Sequence, residues 1–196
     1  MYKGYYKNIE INWSLKTMSS VFSELLNKGT LTTKSTEPTT QYFYMIRDPY
    51  KRLESFYKFN VLTKKDSNTG EVHYFLHHLS QMGIIQTMDN YTIESLVEDT
   101  LDKWTGPDYK EVLKLIHMGW DDNHIRPIEY DFDLIKNNTN HHLVDIKNKQ
   151  ILEDTLGFVL PYMGVTPNNF KYEYTKEEKD WIESKYKKDF EMYRSL

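Results

Sequence analysis

The strongest constraint on this chain's fold is a pattern that occurs twice in its first third: a short apolar strand, a polar turn, then an amphipathic helix. Residues 8–12 (Asn-Ile-Glu-Ile-Asn) alternate with the two-residue period of a strand. After Ser14-Leu15-Lys16-Thr17, the apolar residues Met18, Val21, Phe22, Leu25 and Leu26 recur on one helical face, and Lys28-Gly29 stops the helix. A Thr/Ser/Pro-rich loop from Gly29 to Thr40 leads into Gln41-Tyr42-Phe43-Tyr44-Met45-Ile46, an apolar run long enough for a buried strand. Arg47-Asp48-Pro49 ends that strand and starts a helix, because proline suits the first helical turn and Leu53, Phe56 and Tyr57 follow at helical spacing. Strand, turn and helix repeated in this way predict an α/β fold with a short, mainly parallel sheet flanked by helices.

The rest of the chain reads as further elements of one domain spanning residues 1–196. Helices are expected at 73–82, at 93–104 with Thr92 as cap, and at 109–118. A polar loop at 121–127 precedes strand-like pieces at 130–135 and 142–146. A helix at 149–160 and a final one at 176–192 follow, the last with Thr175 and Glu178 spaced as a capping box.

Composition limits the chemistry. The 196 residues include no cysteine, which removes disulfides, thiolate metal sites and cysteine nucleophiles. Lys+Arg is 25 against Asp+Glu 29, a net charge of -4, so a broad electrostatic nucleic-acid surface is not expected and any anion site must be local. His73 and His77 stand four apart but lack the acid of a His-Glu-x-x-His pattern, so no metal is expected. No apolar run is long enough for a membrane span and no leader pattern is visible, which suits a cytoplasmic protein.

In a parallel α/β sheet ligands bind at the carboxyl edge of the strands, and a helix N-terminus there offers unpaired N–H groups to an anion. Both strand-to-helix turns are therefore candidate anion sites. The first supplies Ser14, Lys16 and Thr17. In the second, Arg47 can fork onto a phosphate, and Ser55, eight residues on, can add a hydroxyl. Two cradles on neighbouring strands suit a nucleotide phosphorylated at two positions. A simple triphosphate site is disfavoured, because Gly-x4-Gly-Lys-Ser/Thr is absent and the first turn has no glycine.

These residues resemble a family. Arg47-Asp48-Pro49-Tyr50-Lys51-Arg52-Leu53-Glu54-Ser55-Phe56-Tyr57 is similar to the 3′-phosphate-binding segment of sulfotransferases, especially the carbohydrate sulfotransferase branch, whose pattern is Arg-Asp-Pro-x-x-Arg-Leu-x-Ser-x-Tyr. Asn123-His124-Ile125-Arg126-Pro127 resembles a His-x-Arg-Pro element of that branch, His142–Gly164 its following strand and helix, and Tyr186–Tyr193 its Tyr-x-x-Asp-Phe ending. The first turn departs from the family's Pro-Lys-x-Gly/Ala-x-Thr-Ser, since Lys16 stands beside Thr17.

The resemblance implies a P-loop-like sulfotransferase fold and transfer of a sulfuryl group from 3′-phosphoadenosine-5′-phosphosulfate (PAPS) to a hydroxyl of a glycan or similar acceptor. It implies Ser14, Lys16 and Thr17 at the 5′-phosphate, and Arg47 and Ser55 at the 3′-phosphate. His124 is the first choice of general base and Glu24 the second. Two rivals remain open: a sulfotransferase-fold protein that binds nucleotide or glycan without turnover, and a P-loop-like small-molecule kinase. Among structural alternatives, Arg52 pairs with Asp48 at i,i+4, and the Tyr186–Tyr193 segment serves as a docking helix.

Overall fold

A computed structural model describes residues 2–14, 17–58, 109–120, 124–128, 140–161 and 170–196. The helices expected at 73–82 and 93–104, the strand-like piece at 130–135 and Lys16 lie outside these residues. The elements run β1 (Tyr2–Tyr6), β2 (Ile9–Trp13), α1 (Ser19–Asn27), β3 (Gln41–Ile46), α2 (Pro49–Tyr57), α3 (Tyr109–His117), β4 (His141–Asp145), α4 (Gln150–Leu156), α5 (Lys176–Lys185) and α6 (Lys187–Arg194).

The four strands form one open mixed sheet in the order β1-β2-β3-β4. β2, β3 and β4 run parallel, and β1 pairs antiparallel with β2 at one edge. The expectation of a mainly parallel α/β sheet holds. β1 is an addition: its Tyr-Lys-Gly-Tyr-Tyr lacks strand alternation, and its turn is made by Lys7 at φ 53°, where no glycine signals a hairpin. Gly4 lets the Trp13 ring and Leu31 approach closely: a Cβ there would meet them at 3.2–3.4 Å, and they would have to give by a few tenths of an ångström.

Strand alternation sorts the sheet's side chains by face. Ile9, Ile11, Trp13, Phe43, Met45 and Val144 pack with Val21, Phe22 and Leu25 of α1 and with Leu152 and Leu156 of α4. Asn12, Tyr44 and Ile46 alternate to the opposite face and are also buried. A second core is built by helices: Leu53, Phe56 and Tyr57 of α2, the apolar side of α3, and Ile182, Tyr186 and Phe190 from α5, Tyr186 itself and α6.

Two helices differ from expectation. α4 ends at Leu156, not at 160, because Gly157 takes the left-handed conformation (φ 75°) that closes helices. The expected helix 176–192 is two helices broken at Tyr186 (φ -108°, ψ 29°), whose hydroxyl donates to the Ile125 carbonyl and whose ring lies 5.3 Å from the Arg52 guanidinium. The capping box is present: Thr175 Oγ1 accepts from Glu178 N–H, and the Glu178 carboxylate accepts from Thr175 N–H at 2.8 Å. No described helix is long and apolar enough to cross a membrane.

Candidate functional site

β2 and β3 lie side by side and in parallel, with Asn12 opposite Tyr44, so both strand-to-helix turns open at the same sheet edge. In the first, Thr17 closes the turn onto Ser14. Its Oγ1 accepts from Ser14 N–H at 2.9 Å, its hydroxyl donates to the Ser14 carbonyl at 2.7 Å, and its own N–H donates to that carbonyl at 3.2 Å. Ser14 Oγ stands 3.4 Å from the Thr17 hydroxyl. Thr17 is fully buried, so these bonds are shielded from water.

Met18 then passes through the left-handed region (φ 62°, ψ 23°) to cap α1. The turn thus takes a conformation that favours glycine without containing one, at a cost of roughly 1 kcal/mol. Thr17→Val keeps the shape and removes the hydroxyl, leaving the buried Ser14 N–H short of its acceptor. Urea unfolding is expected to give a loss of about 1–3 kcal/mol; a change below about 0.5 kcal/mol means that the hydroxyl does not hold the turn.

The second turn is held by its cap. Asp48 Oδ1 accepts from Lys51 N–H at 3.1 Å, and Pro49 occupies the first helical position. Arg47 is the first residue beyond β3 and is half-buried. Burial draws its pKa below the usual value, against the opposing pull of the Glu54, Asp48 and Asp145 carboxylates; a guanidinium remains charged regardless. Each of those carboxylates has another donor. Glu54 is held by Lys51 Nζ at 2.9 Å, Asp48 by the cap, and Asp145 by Lys147 N–H at 3.0 Å and the Tyr193 hydroxyl at 3.2 Å. Burial and the Asp145 charge raise the Tyr193 pKa. Three parallel strands therefore end at one edge in Ser14/Thr17, Arg47 and Asp145.

Ser55 is half-buried on α2, two turns beyond Arg47. His124 is half-buried in a turn against the Phe56 ring, centroids 6.0 Å apart, about 10 Å along α2 from Pro49. Glu24 lies on α1, its carboxylate 2.7 Å from Lys28 Nζ. The two base candidates thus sit in different surroundings: α1 belongs to the sheet's core and Phe56 to the helical one. The edge brings together Ser14, Thr17 and Arg47.

Arg52 is structural, as one reading of the sequence had it, but its partner differs. It pairs with Asp189 of α6 at 2.8 Å, both side chains 1% exposed, while Asp48 serves the cap. Two residues at the edge carry no signal in the sequence reading. Glu54 is a buried carboxylate near Arg47, hidden by its place in a helical pattern. Asn12 is fully buried at the end of β2, and neither atom of its amide has a partner among the described residues. Tyr50, Tyr57, Tyr109, Tyr172 and Tyr174 pack against one another, the Tyr109 and Tyr174 hydroxyls 2.7 Å apart, and burial pushes the pKa values of those two far up. An open groove of about 1000 Å³ between α3 and the start of α5, lined by Lys110, Lys114, His117 and Trp181 and by the capping-box residues Thr175 and Glu178, contains none of the candidate site residues read from the sequence. No cluster that can hold a metal ion occurs among the described residues. No family model, curated protein or solved structure matches the chain.

Proposed function

We propose that this protein has the sulfotransferase fold and moves a sulfuryl group from PAPS to a hydroxyl of a glycan or similar acceptor. The observation that carries the reading is the pair of helix-opening turns on adjacent parallel strands, with Arg47 directly beyond β3. In this reading Arg47 and Ser55 hold the 3′-phosphate. The Ser14–Thr17 turn, Lys16 and the first amides of α1 receive the 5′-phosphate. The acceptor oxygen attacks sulfur in line, the bond from sulfur to the 5′-phosphate oxygen breaks, and adenosine 3′,5′-bisphosphate leaves. Catalysis of this kind rests on positioning and on stabilising the leaving oxygen's charge. His124 takes the acceptor proton; Glu24 is the second candidate, with Lys28 already on its carboxylate.

A nucleotide-binding role without turnover is the second reading, favoured by the commitment of the Thr17 hydroxyl to its own turn. One experiment separates the readings. Adenosine 3′,5′-bisphosphate at about a hundredfold over Kd is expected to stabilise the protein by about 2.7 kcal/mol, a Tm rise of roughly 5–10 °C, with ATP and AMP much weaker. Stabilisation by ATP in preference to the bisphosphate overturns the proposal. Turnover of PAPS with a glycan acceptor, lowered about 10²–10⁴-fold by His124→Ala with the thermal shift retained, identifies the enzyme and its base. A shift without turnover on any acceptor selects the binding role.

A further inference from the structure

We infer that Tyr186 and Asp189 are positioning residues that clasp the His124–Ile128 segment to α2, the helix that opens at Arg47. The inference rests on the reading of His124 as the base. Two bonds bracket the segment. The Tyr186 hydroxyl donates to the Ile125 carbonyl, and Asp189 Oδ2 accepts from Ile128 N–H at 3.0 Å. The same Oδ2 accepts from Arg52 Nη2 at 2.8 Å, and Arg52 lies on α2. The Arg52 guanidinium also stands over the Tyr186 ring, 5.3 Å from its centre.

Residues 124–128 contain turns and no helix or strand, so no backbone ladder within the segment fixes where His124 sits. Among the described residues the segment is held by side chains that are almost fully buried, those of Arg52 and Asp189 each 1% exposed and Tyr186 as a residue 0%. One carboxylate thereby ties the segment carrying the base to the helix whose first turn receives the 3′-phosphate. In-line transfer is sensitive to displacements of about 1 Å between base, acceptor and donor. The clasp sets that distance without touching a reacting atom.

The test uses the full-length protein. Tyr186→Phe keeps the ring under Arg52 and removes the hydroxyl, and Asp189→Asn keeps the side chain's shape and removes its charge. In Tyr186→Phe, hydrogen exchange at the Ile125, Arg126 and Ile128 amides is expected to speed up at least tenfold relative to α2 amides. The kcat for sulfuryl transfer should fall at least tenfold, with KM for PAPS within about twofold, and should fall no further when His124 is already alanine. Unchanged exchange at these amides in both variants overturns the clasp. An equal kcat loss with and without His124 overturns the positioning role. Faster exchange in a protein without any sulfuryl transfer supports the clasp and removes the transferase reading.

Discussion

Arg47→Ala is expected to abolish the thermal stabilisation by adenosine 3′,5′-bisphosphate while leaving any weak response to AMP unchanged. In the proposed reading the Arg47 guanidinium, half-buried directly beyond β3, makes a forked contact to the 3′-phosphate dianion. Removing one partner of such a pair costs about 3 kcal/mol, on the order of a hundredfold in Kd. AMP lacks the 3′-phosphate, so its response isolates the contact from general damage. Each shift is read against the variant's own ligand-free Tm, because the substitution also removes one positive charge from the neighbourhood of Glu54, Asp48 and Asp145. Rising salt should shrink the wild-type shift and have little left to act on in the variant. A bisphosphate shift of wild-type size in Arg47→Ala removes this residue from the site.

The second large effect concerns stability. Asp189→Ala leaves the Arg52 guanidinium charged and buried and takes the acceptor from Ile128 N–H. Breaking a buried pair from one side costs about 3–5 kcal/mol, a large part of the 5–15 kcal/mol that holds a typical domain together. Urea unfolding should place the midpoint far below wild type. The pair Arg52→Met with Asp189→Leu should recover much of the loss, because apolar groups of similar volume need no partner. Losses that simply add in the double variant show that the two charges do not depend on each other.

What the sequence revealed was local. β2, β3 and the starts of α1 and α2 could be read because their signals lie within a few residues: alternation, Asp-Pro at a helix start, apolar residues at helical spacing. Arg52 marks the boundary of that legibility. The i,i+4 rule pointed to Asp48, but Asp48 is engaged by the helix's own first turn, and the true partner lies 137 residues away. The break at Tyr186 was hidden in a similar way, since the hydroxyl of the residue at the break bonds to a carbonyl 61 residues away, which no local pattern announces. At the first turn the signal was absent altogether: Met18 adopts the backbone of a glycine, and nothing in its side chain announces it. The site was legible as two turns, but not in the carboxylates around Arg47 or in the buried amide of Asn12, which only the fold assembles.

The parallel order of the sheet also dictates the sequence of its assembly. β1 meets β2 across a two-residue turn, whereas Tyr42 of β3 lies opposite His141 of β4. The hairpin therefore forms at small entropic cost, but the last strand must close a loop of about 100 residues before its contacts reward it. During synthesis, β1 to β3 and both turns emerge long before β4 exists to join them. Pairing β4 with β3 thus carries the largest loop-closure cost among the described strands, and Asp145, with the Tyr193 hydroxyl that meets it, reaches the sheet edge only through that pairing.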